Sequence, residues 1–213
     1  MLSKKITIID YGCGNILNLA RAIKFLGYEA DITHDKNKII NSSYVILPGV
    51  GAFGNAMKQI EKYNLHNTIL EYAKSNKPLL GICLGMQILL TVSYEFGVHK
   101  GLGLIEGKVI KISNKKNKEI KIPHMGWNEI YPNNNKKEWK NKILKSSSIG
   151  KSFYFVHSFV CITKDYDSTI AVCNYSDISI PAVIATGNVF GCQFHPEKSA
   201  DNGLAVLKNF CET

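Results

Sequence analysis

The sequence predicts an α/β fold, with an open, mostly parallel central sheet flanked by helices in three layers and a more antiparallel second half. Three observations predict it. Over the first ninety or so residues, β-rich apolar runs alternate with segments of helical apolar spacing, the pattern of a parallel sheet with helices on both faces. Beyond residue 104, strand-like runs follow one another with only turn residues between them. The 213 residues carry no internal repeat and no linker-like stretch, so the expectation is one domain spanning 1–213.

The elements follow in order. "KKITIID" reads as a first strand. Asn15 to Phe25 has helical apolar spacing, and Gly27 stands where a helix C-terminus calls for glycine. "EADIT" reads as a second strand and "SYVILPG" as a third, ended by Pro-Gly. Phe53 to Tyr63 and His66 to Ser75 read as helices. "PLLGI" is a short buried strand, followed by a helix from about Leu84 to Val92. Strands are then predicted over 104–113, 119–131, 152–163, 169–174, 181–186 and 189–194. A final helix over 201–211 places Leu204, Leu207 and Phe210 on one stripe.

Composition excludes several classes. No apolar run approaches the roughly 20 residues that cross a bilayer, and the N-terminus lacks a signal-peptide core, so a cytoplasmic, non-membrane protein is expected. The six cysteines form no CxxC pair, which argues against structural zinc; no metal is predicted. The net charge of +9 is almost all lysine. It is densest in 108–121 and 133–142, two asparagine- and lysine-rich stretches that read as solvated hairpin or loop edges. Without aromatic interleaving or a nucleic-acid fold signature, no nucleic-acid partner is predicted. "YGCGN" does not complete a dinucleotide fingerprint, because Leu17 stands where the third glycine is needed.

In an open parallel sheet, ligands bind at the carboxyl ends of strands. Four unusual segments end up there: "YGCGN" (11–15), "PGVGAF" (48–53), "CLGMQ" (83–87) and "HPE" (195–197). Gly81-Ile82-Cys83-Leu84-Gly85 is the thiol form of a nucleophile elbow, a strand-to-helix turn so sharp that neighbours two residues away must be small. It lifts the sulfur to a helix N-terminus, a setting that favours thiolate. A free thiol is only a few per cent thiolate at neutral pH, so a base is needed as well. Taken alone, the pattern fits a buried cysteine at a glycine-rich turn equally well.

His195 and Glu197 stand two apart with Pro196 between, a spacing that puts both side chains on one side of an extended chain. A carboxylate beside an imidazole sets its tautomer and stabilises imidazolium. The expected roles are Cys83 as nucleophile, His195 as proton shuttle and Glu197 as its orienter. An attacked carbonyl also needs oxyanion donors. The Leu84 N–H, just after the nucleophile, is one candidate. The Val50–Gly51 backbone is the other, where Gly49 and Gly51 let the chain approach closely.

With these pieces placed, the chain resembles the class I (triad-type) glutamine amidotransferases, a flavodoxin-like fold. Within them it resembles the glutaminase-subunit family of imidazole glycerol phosphate synthase. The elbow and His-Pro-Glu mark the wider group; "DYGCGN", "PHMGWN" and "YFVHS" mark the narrower one. The resemblance implies hydrolysis of glutamine to glutamate and ammonia, with the ammonia channelled to a separate cyclase (βα)8-barrel subunit in a heterodimer. That step forms imidazole glycerol phosphate in histidine biosynthesis, without a metal or redox cofactor. It assigns Cys83, His195 and Glu197 to the triad, and Gln87, Glu95, Gly51, His157 and Ser158 to the substrate glutamine. Asn15, Trp127, Tyr154 and Lys198 match partner-facing positions. Helical spacing supports Gln87, one turn after Cys83; Glu95 also fits a solvated carboxylate at a helix end, and Trp127 a core aromatic. Phe159 stands where tyrosine is common, 133–142 matches nothing specific, and Cys13 reads as a packing residue. A paralogous subunit feeding ammonia to amidine formation in surface sugars would carry the same site, so that reading stays open.

Overall fold

A computed structural model describes residues 4–113, 120–133, 138, 141–144 and 149–213. The first half follows the predicted alternation: β1 (Lys5–Ile9), α1 (Ile16–Phe25), β2 (Glu29–Thr33), α2 (Lys36–Asn41), β3 (Tyr44–Leu47), α3 (Phe53–Lys62), α4 (His66–Lys74) and β4 (Leu79–Ile82). The sequence pattern does not announce α2. It is one turn and a half long, too short for a periodic signal, and starts on Asp35, whose carboxylate accepts from the Lys38 N–H.

The later elements are α5 (Leu84–Ile88), β5 (Leu90–Ser93), β6 (His99–Lys100), β7 (Ile105–Lys111), β8 (His124–Pro132), β9 (Ser152–His157), β10 (Phe159–Thr163), β11 (Thr169–Tyr175), β12 (Ile178–Thr186), β13 (Val189–Cys192) and α6 (Ala200–Cys211). Nine strands form one sheet in the order β2-β1-β3-β4-β13-β12-β11-β8-β9. β2, β1, β3, β4 and β13 pair parallel; β12, β11, β8 and β9 continue antiparallel. Two apolar clusters, one containing Ile6, Ile8 and Phe210 and the other Ile9, Leu47 and Phe53, carry the core.

Two predicted elements differ in kind from the structure, and the strand predicted over 119–131 begins only at His124, just after Pro123, which has no N–H to give a ladder. The helix after Cys83 ends at Ile88 rather than Val92, and the next residues become β5 of a second sheet, β10-β7-β5-β6. Thr91 and Val92 are β-branched and favour strand. The Leu90 carbonyl is approached so closely that a Cβ on Gly101 would lie 2.1 Å from it. The predicted strand 152–163 is two strands. β9 pairs with β8 in the large sheet and β10 with β7 in the small one; between them the Ser158 carbonyl accepts from the Ile112 N–H. Of the polar stretches, 114–119, 134–137 and 139–140 lie outside the described residues.

This topology positions the site. β4 and β13 are neighbours in parallel register, Ile82 opposite Cys192, so the residues that follow each strand emerge side by side.

Candidate active site

Cys83 links β4 to α5 at φ 54°, ψ −108°, a region that side-chain-bearing residues rarely occupy. Its N–H donates to the Cys192 carbonyl at 2.8 Å, and the Gln87 N–H donates back to its carbonyl at 3.2 Å. The two flanking glycines are sterically required. A Cβ on Gly85 would sit 1.8 Å from the Leu47 oxygen, and one on Gly81 2.6 Å from the Gly85 oxygen.

After β13 the chain carries Gln193, Phe194 and His195 into the same place, and a 3-10 turn over Pro196–Lys198 brings Glu197 back onto the ring. His195 Nδ1 lies 2.8 Å from Glu197 Oε1, and both side chains are almost wholly buried. Burial opposes the imidazolium most strongly. The nearby Cys83 sulfur, together with the hydrogen bond and charge of Glu197, nevertheless outweighs it and raises His195 to about 10. Among the described residues, only two buried side-chain polar atoms lack a hydrogen-bond partner, and both belong here: His195 Nε2 and Glu197 Oε2.

A cleft of about 740 Å³ opens over the sulfur, lined by Val50, Gly51, Leu84, Gln87, Glu95, His157, Ser158 and His195 among others. Each predicted substrate residue therefore reaches one cavity, with its polar groups committed as follows. Both Gln87 amide hydrogens are spent, on the Phe159 carbonyl and on Gln193 Oε1, each at 3.1 Å. Only Gln87 Oε1 is left to meet a ligand. Glu95 is buried, not a solvated helix end: it follows β5, and its Oε2 accepts from the Phe53 N–H at 2.6 Å, capping α3. Both nitrogens of the His157 ring are committed to other protein groups. Its Nε2 lies 2.9 Å from His124 Nδ1 and its Nδ1 2.9 Å from the Phe159 carbonyl, while His124 Nε2 reaches Asn128 Oδ1 at 2.8 Å. Two neutral rings bring two protons to these three contacts, and burial, which lowers both rings and His157 to about 3, opposes supplying a third.

The oxyanion candidates are arranged otherwise than a ready site requires. The Leu84 N–H donates to the Gly49 carbonyl at 3.3 Å. Gly51 holds φ +102°, and Val50 is 44% exposed. The buried Tyr11 hydroxyl donates to the Pro48 carbonyl at 2.7 Å and ties the "YGCGN" turn to this loop.

Three of the four partner-facing candidates also converge. Trp127 and Tyr154 are opposite one another on β8 and β9, ring centroids 6.1 Å apart, and Lys198 Nζ lies 5.9 Å from the Tyr154 ring. Trp127 is 53% exposed, so it is not a core aromatic. The Tyr154 carbonyl accepts from the His195 N–H at 2.9 Å, joining this platform to the site. Asn15 stands apart from it, at the start of α1, where it lines a small void with Pro48, Gly49, Val50, His195 and Glu197. Cys13 is buried, its sulfur 3.7 Å from Asn55 Nδ2.

Sequence reasoning missed Gln193 and the Val156 carbonyl, both on Cys83 Sγ, at 3.7 Å and 3.9 Å. A glutamine within an otherwise apolar run entering the site was a legible signal; a backbone carbonyl leaves none.

The family model for glutamine amidotransferase class-I matches residues 7–213. A relative from Caldanaerobacter subterraneus subsp. tengcongensis, named imidazole glycerol phosphate synthase subunit HisH, is 45% identical over 207 residues, covering 97% of each chain. The subunit HisH of Lactococcus lactis subsp. lactis is 44% identical over 215 residues, covering 98% of each. The chain belongs to the class-I glutamine amidotransferases, among the HisH subunits. Structural likeness agrees on the fold of this amidotransferase. PurLQS from Thermotoga maritima superposes with a TM-score of 0.72 at 19% identity, covering 99% of both chains. A glutamine amidotransferase, also from Thermotoga maritima, gives 0.59 at 18%, covering 100% of this chain and 82% of that one.

Proposed function

We propose that this amidotransferase is the glutaminase subunit of an imidazole glycerol phosphate synthase, with Cys83, His195 and Glu197 as its triad. Cys83 passes its thiol proton to His195 Nε2, and Sγ attacks the side-chain carboxamide carbon of glutamine. His195 gives its proton to the departing nitrogen, releasing ammonia and leaving a thioester. His195 then takes a proton from water, the hydroxide opens the thioester, and glutamate leaves. Glu197 fixes the ring through Nδ1 and keeps Nε2 toward the sulfur. Gln87 Oε1 and Glu95 accept from the polar end of the substrate, and the Gly51, His157 and Ser158 backbone frames it.

The observation that carries this reading is the buried, unpartnered His195 Nε2 beside a thiol held at a strained elbow. A buried donor or acceptor without a partner is costly, and a substrate atom or water supplies one during turnover.

The names of the HisH relatives support a cyclase (βα)8-barrel as partner and histidine biosynthesis as the destination of the ammonia. Asn15, Trp127, Tyr154 and Lys198 would face that barrel. The Gly49 carbonyl on the Leu84 N–H gives the coupling a physical form: Leu84 is free to hold an oxyanion only after the Pro48–Gly51 loop moves. Since one lost oxyanion donor costs on the order of a hundredfold in kcat, the chain alone should hydrolyse glutamine about that much more slowly than the complex with its ribulosyl nucleotide.

The test is co-purification with a cyclase barrel, followed by glutaminase assay with and without that nucleotide, for the wild type and for Cys83→Ala. Full-rate hydrolysis by the isolated chain would remove the coupling, and activity in Cys83→Ala would remove the triad.

A further inference from the structure

We propose that Gln193 is a positioning residue for the thiol: its side-chain amide donates a hydrogen bond to Cys83 Sγ and stabilises the thiolate, with Gln87 fixing the direction of that amide. The proposal rests on reading Cys83 as the nucleophile.

Gln193 has no solvent exposure. Its N–H donates to the Ala182 carbonyl at 2.9 Å, which holds its backbone to β12 as the chain leaves β13. Gln193 Nε2 lies 3.7 Å from Cys83 Sγ, and Oε1 accepts from Gln87 Nε2 at 3.1 Å. The second hydrogen of Gln87 Nε2 goes to the Phe159 carbonyl, an atom that can only accept. That contact settles which end of the Gln87 amide is nitrogen. Gln193 must therefore meet Gln87 with its oxygen, leaving its own nitrogen toward the sulfur. The orientation follows from a chain of donors and acceptors ending at a backbone atom that cannot flip.

The sulfur has an opposing neighbour. Its S–H donates to the Val156 carbonyl at 3.9 Å, a contact available only to the thiol. When the proton leaves, the Val156 oxygen faces negative charge, whereas the Gln193 contact becomes charge-assisted and strengthens. Gln193 thus offsets the preference of Val156 for the thiol. An apolar side chain of similar size would fill the space without desolvating an amide, so a purely packing role leaves the choice of glutamine unexplained.

The test is alkylation of Cys83 by iodoacetamide across pH, in the full chain without glutamine, followed on the Cys83 peptide by mass spectrometry. In Gln193→Met the midpoint of rate against pH should move upward, with the rate at pH 7 falling about fivefold to tenfold. In Gln193→Glu it should move further, because negative charge replaces the donor. Profiles that keep the wild-type midpoint in both variants, even with lowered melting temperature, would overturn the role. A measurement on the unaltered protein guards against misfolded variants. The Gln193 side-chain amide resonance should titrate with the alkylation midpoint and shift again once the sulfur is capped; a resonance blind to both would overturn the proposal. A wild-type complex that hydrolyses no glutamine, with the alkylation results intact, would count against the amidotransferase mechanism alone, whereas full activity in the Gln193 variants with unmoved profiles would count against Gln193 alone.

Discussion

Cys83 occupies backbone angles that cost on the order of 1–3 kcal/mol and persist because the surroundings over-determine them. Hydrogen bonds on both its N–H and its carbonyl, and the close passage of Gly81 and Gly85, are that over-determination. Gly85 is the sharpest case. Its missing Cβ is the only room for the Leu47 carbonyl, so Gly85→Ala should destabilise the chain by roughly 4 kcal/mol or leave it unfolded. A thermal melt checks this, and a melting temperature within a few degrees of wild type would contradict the close-approach argument. At this scale the elbow and His-Pro-Glu were legible because each is a short pattern with a steric or electrostatic reason. Gln193 was legible only as an oddity; its target sulfur is 110 residues away in the chain.

Elements explain what short patterns could not. The run 152–163 has one β signature but serves two sheets, and periodicity within a run says nothing about which strand it pairs with. The helix after Cys83 reads longer because Ile88 to Val92 is apolar except for Thr91, and a mostly apolar run fits buried helix and buried strand alike. The same β8–β9 pairing that sets Trp127 opposite Tyr154 builds the exposed aromatic platform. Trp127→Ala should weaken binding of the proposed cyclase barrel by about 2 kcal/mol or more, roughly 30-fold, while leaving the melting temperature nearly unchanged. Titration calorimetry with the barrel decides it; unaltered affinity would move the interface elsewhere on the surface.

Over the whole molecule, β4 carries the thiol, and its parallel pairing with β13, the last strand before the sheet turns antiparallel, delivers the imidazole beside it. The ionisation of that imidazole is coupled to folding. His195 is raised from 6.5 to about 10, so the folded chain holds the proton more tightly than the unfolded chain. Its contribution to stability is fully present below about pH 6.5 and is lost as pH rises through about 10. Between pH 7 and 10, the melting temperature of the wild type should therefore fall more steeply than that of His195→Asn. Parallel slopes would show that the ring carries no extra proton in the fold.

By itself the sequence determined the fold class, the order of most elements and the candidate thiol, imidazole and carboxylate, because alternation, glycine sterics and a two-residue spacing act over a few bonds. Only the tertiary structure decided that Leu84 gives its N–H to Gly49, that Gln87 spends both amide hydrogens inside the protein, and that Gln193 stands against the sulfur. Each of these is a choice of hydrogen-bond partner between segments remote in the chain, and such choices are made when buried polar groups compete for the few partners that packing brings within reach.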